Sequence, residues 1–330
     1  MNNYYKKYIE RTFYLAKKGQ GKVSPNPLVG CVIVNKDKII GEGYHEKYGN
    51  DHAEINAIKS VNNKSLLKNS SVFINLEPCT HHGKTPPCVS ELINIKPKEI
   101  IISNLDPNPK VNGKGIRILK KRGIKVIMDV LKNEGEKLNK RFFTFINKQR
   151  PYIILKWAET KNGMIANEKY ESKWISNNLS RQLVHKWRAE EDAILVGAST
   201  VEYDNPHLTV RDWKGKNPIR IIIDPKKRLN KKKNVFDNSS KTINLVGMNE
   251  NNVKKITESL INENIISIII EGGAYTLNKY IENNCWDEIR IFQSNKIFKN
   301  GIKAPKINKK KLNYIKILDD KLFIKHNNEY

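Results

Sequence analysis

The sequence predicts an α/β protein of two domains, and three observations carry that prediction. The chain has 330 residues, more than one small core accommodates. Short apolar runs alternate with segments of helical periodicity along its length. A polar, basic stretch from about Glu134 to Pro151, ending in Lys148-Gln149-Arg150-Pro151, interrupts the alternation. It divides the chain into residues 1–147 and 148–330.

The elements follow in order. Tyr4 to Lys18 carries apolar residues at Tyr8, Ile9, Phe13 and Ala16, a helical stripe. Val29 to Val34 reads as a buried strand, and Asp37 turns the chain into a second strand, Lys38 to Gly43. Asp51 is placed to cap a helix that starts near His52 and turns Ile55, Ala57 and Ile58 inward. Val72 to Leu76 is a strand that delivers Glu77-Pro78-Cys79, and a helix opens near Cys88 through Val89, Leu92 and Ile93. Ile100-Ile101-Ile102 and Ile124 to Ile127 complete the first half. The second half restarts with the strand Tyr152 to Leu155. Ala193 to Gly197, Ile219 to Asp224 and Ile265 to Ile270 are apolar on both faces, which suits a largely parallel sheet covered by helices.

Charge and cysteine usage narrow the function classes. Sixty Lys+Arg against 34 Asp+Glu give a formal net charge of +26, which raises the prospect of a polyanion partner. Yet the basic residues are 49 Lys and 11 Arg, scattered among Asn and Ile. Specific nucleic-acid readers rely on the planar, bidentate fork of Arg, so no specific nucleic-acid partner is expected. The runs Lys231-Lys232-Lys233 and Lys309-Lys310-Lys311 read as exposed loops. Four cysteines in this length are not a disulfide framework. Cys31 lies in an apolar run as a small buried hydrophobe. The N-terminus lacks the apolar core of a signal peptide, and no run approaches the ~18 apolar residues of a membrane span. A cytoplasmic protein with no membrane partner is expected.

The chemistry centres on His52-Ala53-Glu54, Glu77-Pro78-Cys79 and Pro87-Cys88. One imidazole and two thiolates from His52, Cys79 and Cys88 can hold Zn2+, and three protein ligands leave the fourth tetrahedral position for water, as in catalytic rather than structural sites. Zn2+ lowers the pKa of a bound water from 15.7 to roughly 7. Glu54, not itself a ligand, can then carry the proton from the attacking water to the ring nitrogen and departing ammonia of an amino-heterocycle. A lone His-x-Glu is usually only an exposed helix start, and a lone cysteine pair is a weak signal; together, in this order and with each cysteine beside a proline, they are a strong signal for a deaminase. His81 and His82, between the cysteines, offer a competing ligand, but read first as a polar pocket wall.

Eight residues separate the cysteines, in Pro78-Cys79-Thr80-His81-His82-Gly83-Lys84-Thr85-Pro86-Pro87-Cys88. General cytidine and tRNA-adenosine deaminases have two. The longer segment resembles the deaminase domain of the bifunctional riboflavin-biosynthesis deaminase/reductase family. Pro25-Asn26-Pro27-Leu28-Val29-Gly30-Cys31, Gly41-Glu42-Gly43-Tyr44-His45 and Asp106-Pro107-Asn108-Pro109 match further family motifs. The resemblance implies a cytidine-deaminase-like three-layer domain in which Asn26, His45, His81 and Lys84 contact the pyrimidine.

The resemblance continues through Arg150 to Lys156, Lys173-Trp174-Ile175-Ser176, Arg188-Ala189, Asp192 to Gly197, Thr200, Asp204 to Arg211 and Glu271-Gly272-Gly273. It implies a dihydrofolate-reductase-like α/β domain that uses NADPH to reduce a ribosyl group to a ribityl chain. Ala158, Trp174, Thr200, Asp204 and the loop from Gly273 would line the cofactor site. Lys156, Ser172, Arg188, Leu208, Arg211 and Glu271 would hold the phosphosugar substrate. Glycines between a strand and a helix let backbone N–H groups approach a phosphate, and no G-x-G-x-x-G fingerprint appears.

Two segments depart from the family: Thr160-Lys161-Asn162-Gly163 stands where the family has Ser-Leu-Asp-Gly, and Phe292-Gln293-Ser294-Asn295-Lys296 matches poorly. The expected function is deamination of 2,5-diamino-6-ribosylamino-4(3H)-pyrimidinone 5′-phosphate followed by reduction of its side chain, in a chain compatible with a homo-oligomer. The alternative is a tRNA-adenosine-type or free-nucleoside deaminase with a degenerate second domain. A basic zinc-containing binding module is disfavoured because structural sites use four protein ligands.

Overall fold

The computed structural model describes residues 3–81, 86–172, 174–309 and 311–327. They form two compact units that divide between Gln149 and Arg150.

In the first unit the chain runs α1 (Asn3–Lys17), β1 (Gly30–Asn35), β2 (Lys38–Tyr44), α2 (Ala53–Ser60), β3 (Ser71–Leu76), α3 (Cys88–Asn94), β4 (Glu99–Asn104), α4 (Lys114–Lys121), β5 (Lys125–Ile127), α5 (Lys132–Leu138) and α6 (Lys140–Lys148). The five-stranded sheet has the order β2-β1-β3-β4-β5. The β1–β2 hairpin turns on Lys36 and Asp37, both at positive φ, the geometry whose twist matches antiparallel strands. β1 runs antiparallel to β3, and β3, β4 and β5 run parallel.

Strand alternation sorts the apolar residues into two layers. Cys31, Ile33, Val72, Ile74, Ile100 and Ile102 pack under α2, α3 and α4. Val32, Val34, Phe73 and Ile101 pack against Tyr8, Ile9, Phe13 and Leu15 of α1. The sheet is therefore covered on both faces. Helix α2 lies very close to β2, because a Cβ at Gly43 would come within 2.3 Å of the Ala57 nitrogen and 2.6 Å of the Ala53 carbonyl.

The division falls two residues after the expected 147/148, and most of the polar stretch from about Glu134 to Pro151 folds as the two helices α5 and α6, which bury Gly135, Phe142 and Thr144. Their solvent faces are polar and basic, and that composition read as a linker. Asp51 does not cap α2. The N-cap is His52, with no side-chain cap hydrogen bond, and the Asp51 carboxylate instead accepts from Lys59 at 2.6 Å. Ala53, Glu54 and Ala57 are the buried residues of α2, with Ile55 only partly covered.

The second unit comprises β6 (Tyr152–Glu159), β7 (Met164–Asn167), α7 (Asn178–Glu190), β8 (Ala193–Gly197), α8 (Ala198–Asp204), β9 (Ile219–Ile223), β10 (Thr242–Leu245), α9 (Val253–Asn262), β11 (Ser267–Ile270), α10 (Ala274–Glu282), β12 (Glu288–Gln293), β13 (Gly301–Lys303), β14 (Tyr314–Ile317) and β15 (Asp320–His326). The eight-stranded sheet has the order β10-β9-β8-β11-β6-β12-β15-β14. β10 through β12 pair in parallel, and β15 and β14 close the edge antiparallel.

Ile153, Leu155, Trp157, Ile268 and Ile270 face α9 and α10. Tyr152, Ile154 and Ile269 face Val184 and Trp187 of α7. Arg220, on β9, is fully buried; its guanidinium donates to the carbonyls of His207, Asn234, Asp237 and Ser240 and to the Asp237 carboxylate. Lys309, expected in a solvated loop, donates to the buried Glu159 carboxylate. Among the described residues no helix is long and apolar enough to cross a membrane.

Candidate active sites

β3 ends at Leu76 and releases Glu77-Pro78-Cys79 at its carboxyl end, while Cys88 opens α3 and His52 caps α2. The ligand atoms of His52, Cys79 and Cys88 all lie within 4.8 Å of one another. His52 Nδ1 is 3.5 Å from Cys79 Sγ and 3.3 Å from Cys88 Sγ. Zinc bonds of about 2.3 Å to sulfur and 2.0–2.1 Å to nitrogen, at the tetrahedral angle, put N and S about 3.6 Å apart. The three donors therefore fit Zn2+ nearly as they stand, and among the described residues no other group of His, Cys, Asp or Glu does. Cys88 and the imidazole of His52 hydrogen-bond the Cys79 sulfur and lower its pKa, while hydrogen bonding to Cys79 and burial raise that of Cys88. The set thus carries one ready thiolate and a second thiol that a cation would deprotonate.

Glu54 lies in the first turn of α2, almost completely buried. Burial, then the negative charge of Cys79, pushes its carboxyl up to about 7, against the opposing pull of His52. A carboxyl in that range both takes and returns a proton near neutral pH.

Asn26, His45, His52, Glu54, Cys79 and His81 line one cavity of about 400 Å3, with Asp106 in its wall. His45 is buried in a fixed orientation. Its Nδ1 donates to the Asp51 carbonyl at 3.0 Å, and its Nε2 accepts from Asn26 Nδ2 at 3.1 Å. Burial lowers its pKa, which favours the neutral ring. Lys84, the remaining expected pyrimidine contact, lies outside the described residues, as do His82 and Thr85.

Three residues hold this site without having been given a role in the sequence, although Glu77 stands in the cysteine motif itself. The Asn75 and Asn139 side chains both donate to the Leu28 carbonyl at 2.9 Å, and they accept from the Gly30 and Leu28 N–H groups at 2.7 and 2.8 Å. This pair fixes the segment that carries Asn26. The third is Glu77, which is buried among backbone N–H groups of residues 106–116. No local signal reveals partners 29 to 111 positions away.

In the second unit the expected residues gather at the carboxyl ends of the neighbouring parallel strands β8, β11 and β6, where open α/β sheets place their ligands. Glu271 follows β11 and meets Arg188 of α7 through two hydrogen bonds, 2.8 and 3.2 Å, and Lys156 of β6 at 3.5 Å. Burial would raise the Glu271 carboxyl, but the two cations overcome this and hold it down at about 2. Burial lowers the pKa of Lys156.

Arg188 also donates to the Thr209 carbonyl at 3.3 Å, and Arg211 donates to the Thr209 hydroxyl at 3.3 Å. The Arg188 fork is thus committed to Glu271, whereas Arg211 is exposed. Leu208 is buried in an apolar cluster with α8, at positive φ.

Two of the expected contacts pair directly. The Ser172 hydroxyl lies 3.0 Å from both carboxylate oxygens of Asp204, and the Gly273 N–H donates to Thr200 Oγ1 at 3.0 Å. Gly273 caps the nine-residue α10 with no side-chain hydrogen bond, and an uncapped helix start of this kind suits a phosphate. Ala158 is half-buried on β6, and Trp174 is exposed with Arg181 4.3 Å from its ring. Lys173 lies outside the described residues.

The two departing segments meet each other. Asn162 donates to the Phe298 carbonyl at 2.7 Å and accepts from the Phe298 N–H at 3.3 Å. Lys161 N–H bonds the Lys296 carbonyl, and the Lys296 ammonium donates to the Trp174 carbonyl. An aspartate at 162 could accept from Phe298 but could not donate to it.

Residues 2–104 match the family model described as the cytidine and deoxycytidylate deaminase zinc-binding region, and residues 151–302 match the RibD C-terminal domain. A riboflavin biosynthesis protein RibD of Aquifex aeolicus is 38% identical over 317 residues, spanning 90% of this chain and 88% of its own. The RibD protein of Escherichia coli is 39% identical over 236 residues, or 67% of this chain and 64% of its own. The crystal structure of a diaminohydroxyphosphoribosylaminopyrimidine deaminase/5-amino-6-(5-phosphoribosylamino)uracil reductase from Thermotoga maritima is 36% identical and superposes with a TM-score of 0.89, covering 97% of this chain and 98% of that one.

Proposed function

The chain belongs to the family of riboflavin biosynthesis protein RibD, a bifunctional deaminase and reductase, and from that premise we propose how its residues divide the work. The first unit deaminates 2,5-diamino-6-ribosylamino-4(3H)-pyrimidinone 5′-phosphate. The second reduces the ribosyl side chain of the product to ribityl with NADPH.

In the first unit His52, Cys79 and Cys88 would hold Zn2+, which would supply an acidified water for attack on the ring carbon bearing the amino group. Glu54 accepts the proton of that water and delivers it to the ring nitrogen and the leaving ammonia. Neutral His45, oriented by Asn26 and the Asp51 carbonyl, presents a fixed edge to the pyrimidine, with His81 and Lys84 completing the contacts. In the second unit NADPH supplies the hydride when bound, held by Ala158, Trp174, Thr200, Asp204 and the loop from Gly273. Arg211 is the exposed cation for the sugar phosphate. Lys156 and Arg188 hold Glu271 ionised beside the substrate, with Ser172 and Leu208 lining the rest.

The spacing of the His52 nitrogen from the two sulfurs carries this reading. Four cysteines that are all free thiols support a cytoplasmic setting. The test is a coupled assay on the purified chain: zinc content, ammonia release from the diaminopyrimidine, and NADPH oxidation with the deaminated intermediate. About one zinc per chain and both turnovers are expected. A zinc-loaded chain that releases no ammonia from this pyrimidine would overturn the assignment.

A further inference from the structure

Glu77 takes no part in the chemistry above, yet it is almost fully buried two residues from a metal ligand. Its Oε2 accepts from the N–H groups of Gly113 at 2.8 Å and Asp106 at 3.4 Å. Its Oε1 accepts from those of Gly115 at 3.0 Å and Ile116 at 3.3 Å. Gly113, Gly115 and Ile116 form the N-cap and first turn of α4, whose N-cap glycine has no side chain to satisfy them. The start of a helix leaves such N–H groups without intrahelical partners and favours negative charge. Glu77 supplies both from 36 to 39 positions earlier in the chain.

The contact is tight on both sides. A Cβ at Gly115 would come within 2.7 Å of the Pro78 carbonyl and 3.2 Å of the Glu77 carboxylate, so α4 begins directly against the Glu77-Pro78 peptide. On the other side the Cys79 carbonyl accepts from Val89 N–H, and the Cys79 sulfur accepts from Cys88 N–H, both at 3.3 Å. The segment Glu77-Pro78-Cys79 is thus wedged between the first turns of α3 and α4. Asp106, one of the four donors to Glu77, stands in the cavity wall.

We infer that Glu77 is a positioning residue: it locks the Cys79 sulfur, the start of α4 and the Asp106 wall into one unit, so that zinc binding and ordering of α4 are linked. This rests on the reading that His52, Cys79 and Cys88 hold zinc. Groups that orient metal ligands typically change metal affinity or activity by about 10–100-fold when replaced. Glu77→Gln keeps the shape but turns an amide donor toward N–H donors on one side.

The experiment compares the full-length parent and Glu77→Gln by chelator competition for zinc and by amide exchange with and without zinc. Zinc affinity should fall about 10–100-fold. In the parent, zinc should slow exchange at Gly115 and Ile116, and in the variant this protection should be lost. NADPH oxidation with the deaminated intermediate should be unchanged, which reports a folded chain. Gly115→Ala, pressing on the Pro78 carbonyl from the helix side, should weaken zinc binding in the same direction. A Glu77→Gln chain that melts earlier but keeps parental zinc affinity and zinc-dependent protection would reduce Glu77 to a structural cap and overturn the inference. A parent that binds no zinc would overturn the metal-site reading itself, and this inference with it.

Discussion

The two units both place their candidate chemistry at the carboxyl ends of parallel strands, but they treat buried charge differently. In the first unit the thiols of Cys79 and Cys88 crowd around the His52 imidazole, with Glu54 buried beside them. Hydrogen bonds from Cys88 and His52 hold the Cys79 thiol down, while burial and the Cys79 charge push the Glu54 carboxyl up, so negative charge gathers where the three donors would hold a cation. In the second unit the charge is balanced internally, because Glu271 lies between Arg188 and Lys156. The first site is organised for a cation, whereas the second already contains its own and leaves Arg211 exposed beside it. Removing the cation should therefore disable one unit chemically, while removing an internal partner should damage the other structurally.

The sharpest break of this comparison is the double variant Cys79→Ser/Cys88→Ser. Zinc content measured by atomic absorption should fall to background and ammonia release should cease, while NADPH oxidation with the deaminated intermediate continues. Retention of full zinc would show that the donors lie elsewhere. Next, Glu54→Gln should keep zinc and lower the deamination rate by about 10²–10⁴-fold, the usual contribution of a positioned proton carrier. Undiminished turnover would assign proton transfer to another group.

The third break lies in the second unit. Glu271→Gln leaves two buried cations without their carboxylate, and breaking a buried pair typically destabilises by about 3–5 kcal/mol. Urea unfolding of this unit, with loss of NADPH oxidation, should report it. The pH dependence follows from the depressed carboxyl. Its stabilisation is complete above the ordinary value of 4.5 and is lost as the pH falls through about 2. The parent should therefore weaken across that acid window, and Glu271→Gln should remove this part of the dependence. An unaltered acid limb would mean that the pair contributes little.

The smallest expected effect is at Asn162. Asn162→Asp removes the donor to the Phe298 carbonyl, an exposed contact worth about 0.5–1.5 kcal/mol. It should raise the KM for NADPH modestly, through Lys296 and the Trp174 carbonyl, with little change in kcat. A lower kcat at constant KM would place residue 162 nearer the chemistry.

How far each half was legible in the sequence follows from the same contrast. Metal chemistry restricts residue type, so His52, Cys79 and Cys88 announced themselves, and the short continuous apolar runs of β1, β3 and β4, buried on both faces, exposed the first sheet. The lysine and arginines of the second site are generic residues, and only family resemblance singled them out. Helices α5 and α6 were hidden because their buried face is narrow and the remainder is basic. Asp51 had the composition of a cap, but a nearby lysine captured its carboxylate. Trp174 carried the usual signature of a core residue and lies in solvent, stacked under Arg181.

The Asn162-Gly163 turn also gives the protein a chemical age. An exposed asparagine followed by glycine is prone to attack of the glycine nitrogen on its side-chain carbonyl carbon, which expels ammonia. Water then opens the resulting ring to aspartate or isoaspartate. Here the Gly163 N–H is engaged by the Thr160 carbonyl at 2.9 Å, and the Asn162 amide is held by Phe298, so the folded turn restrains the reaction that its sequence invites. Old or partly unfolded protein should accumulate isoaspartate at 162, readable by peptide mapping, and lose its hold on the Phe298 loop while its zinc half stays untouched.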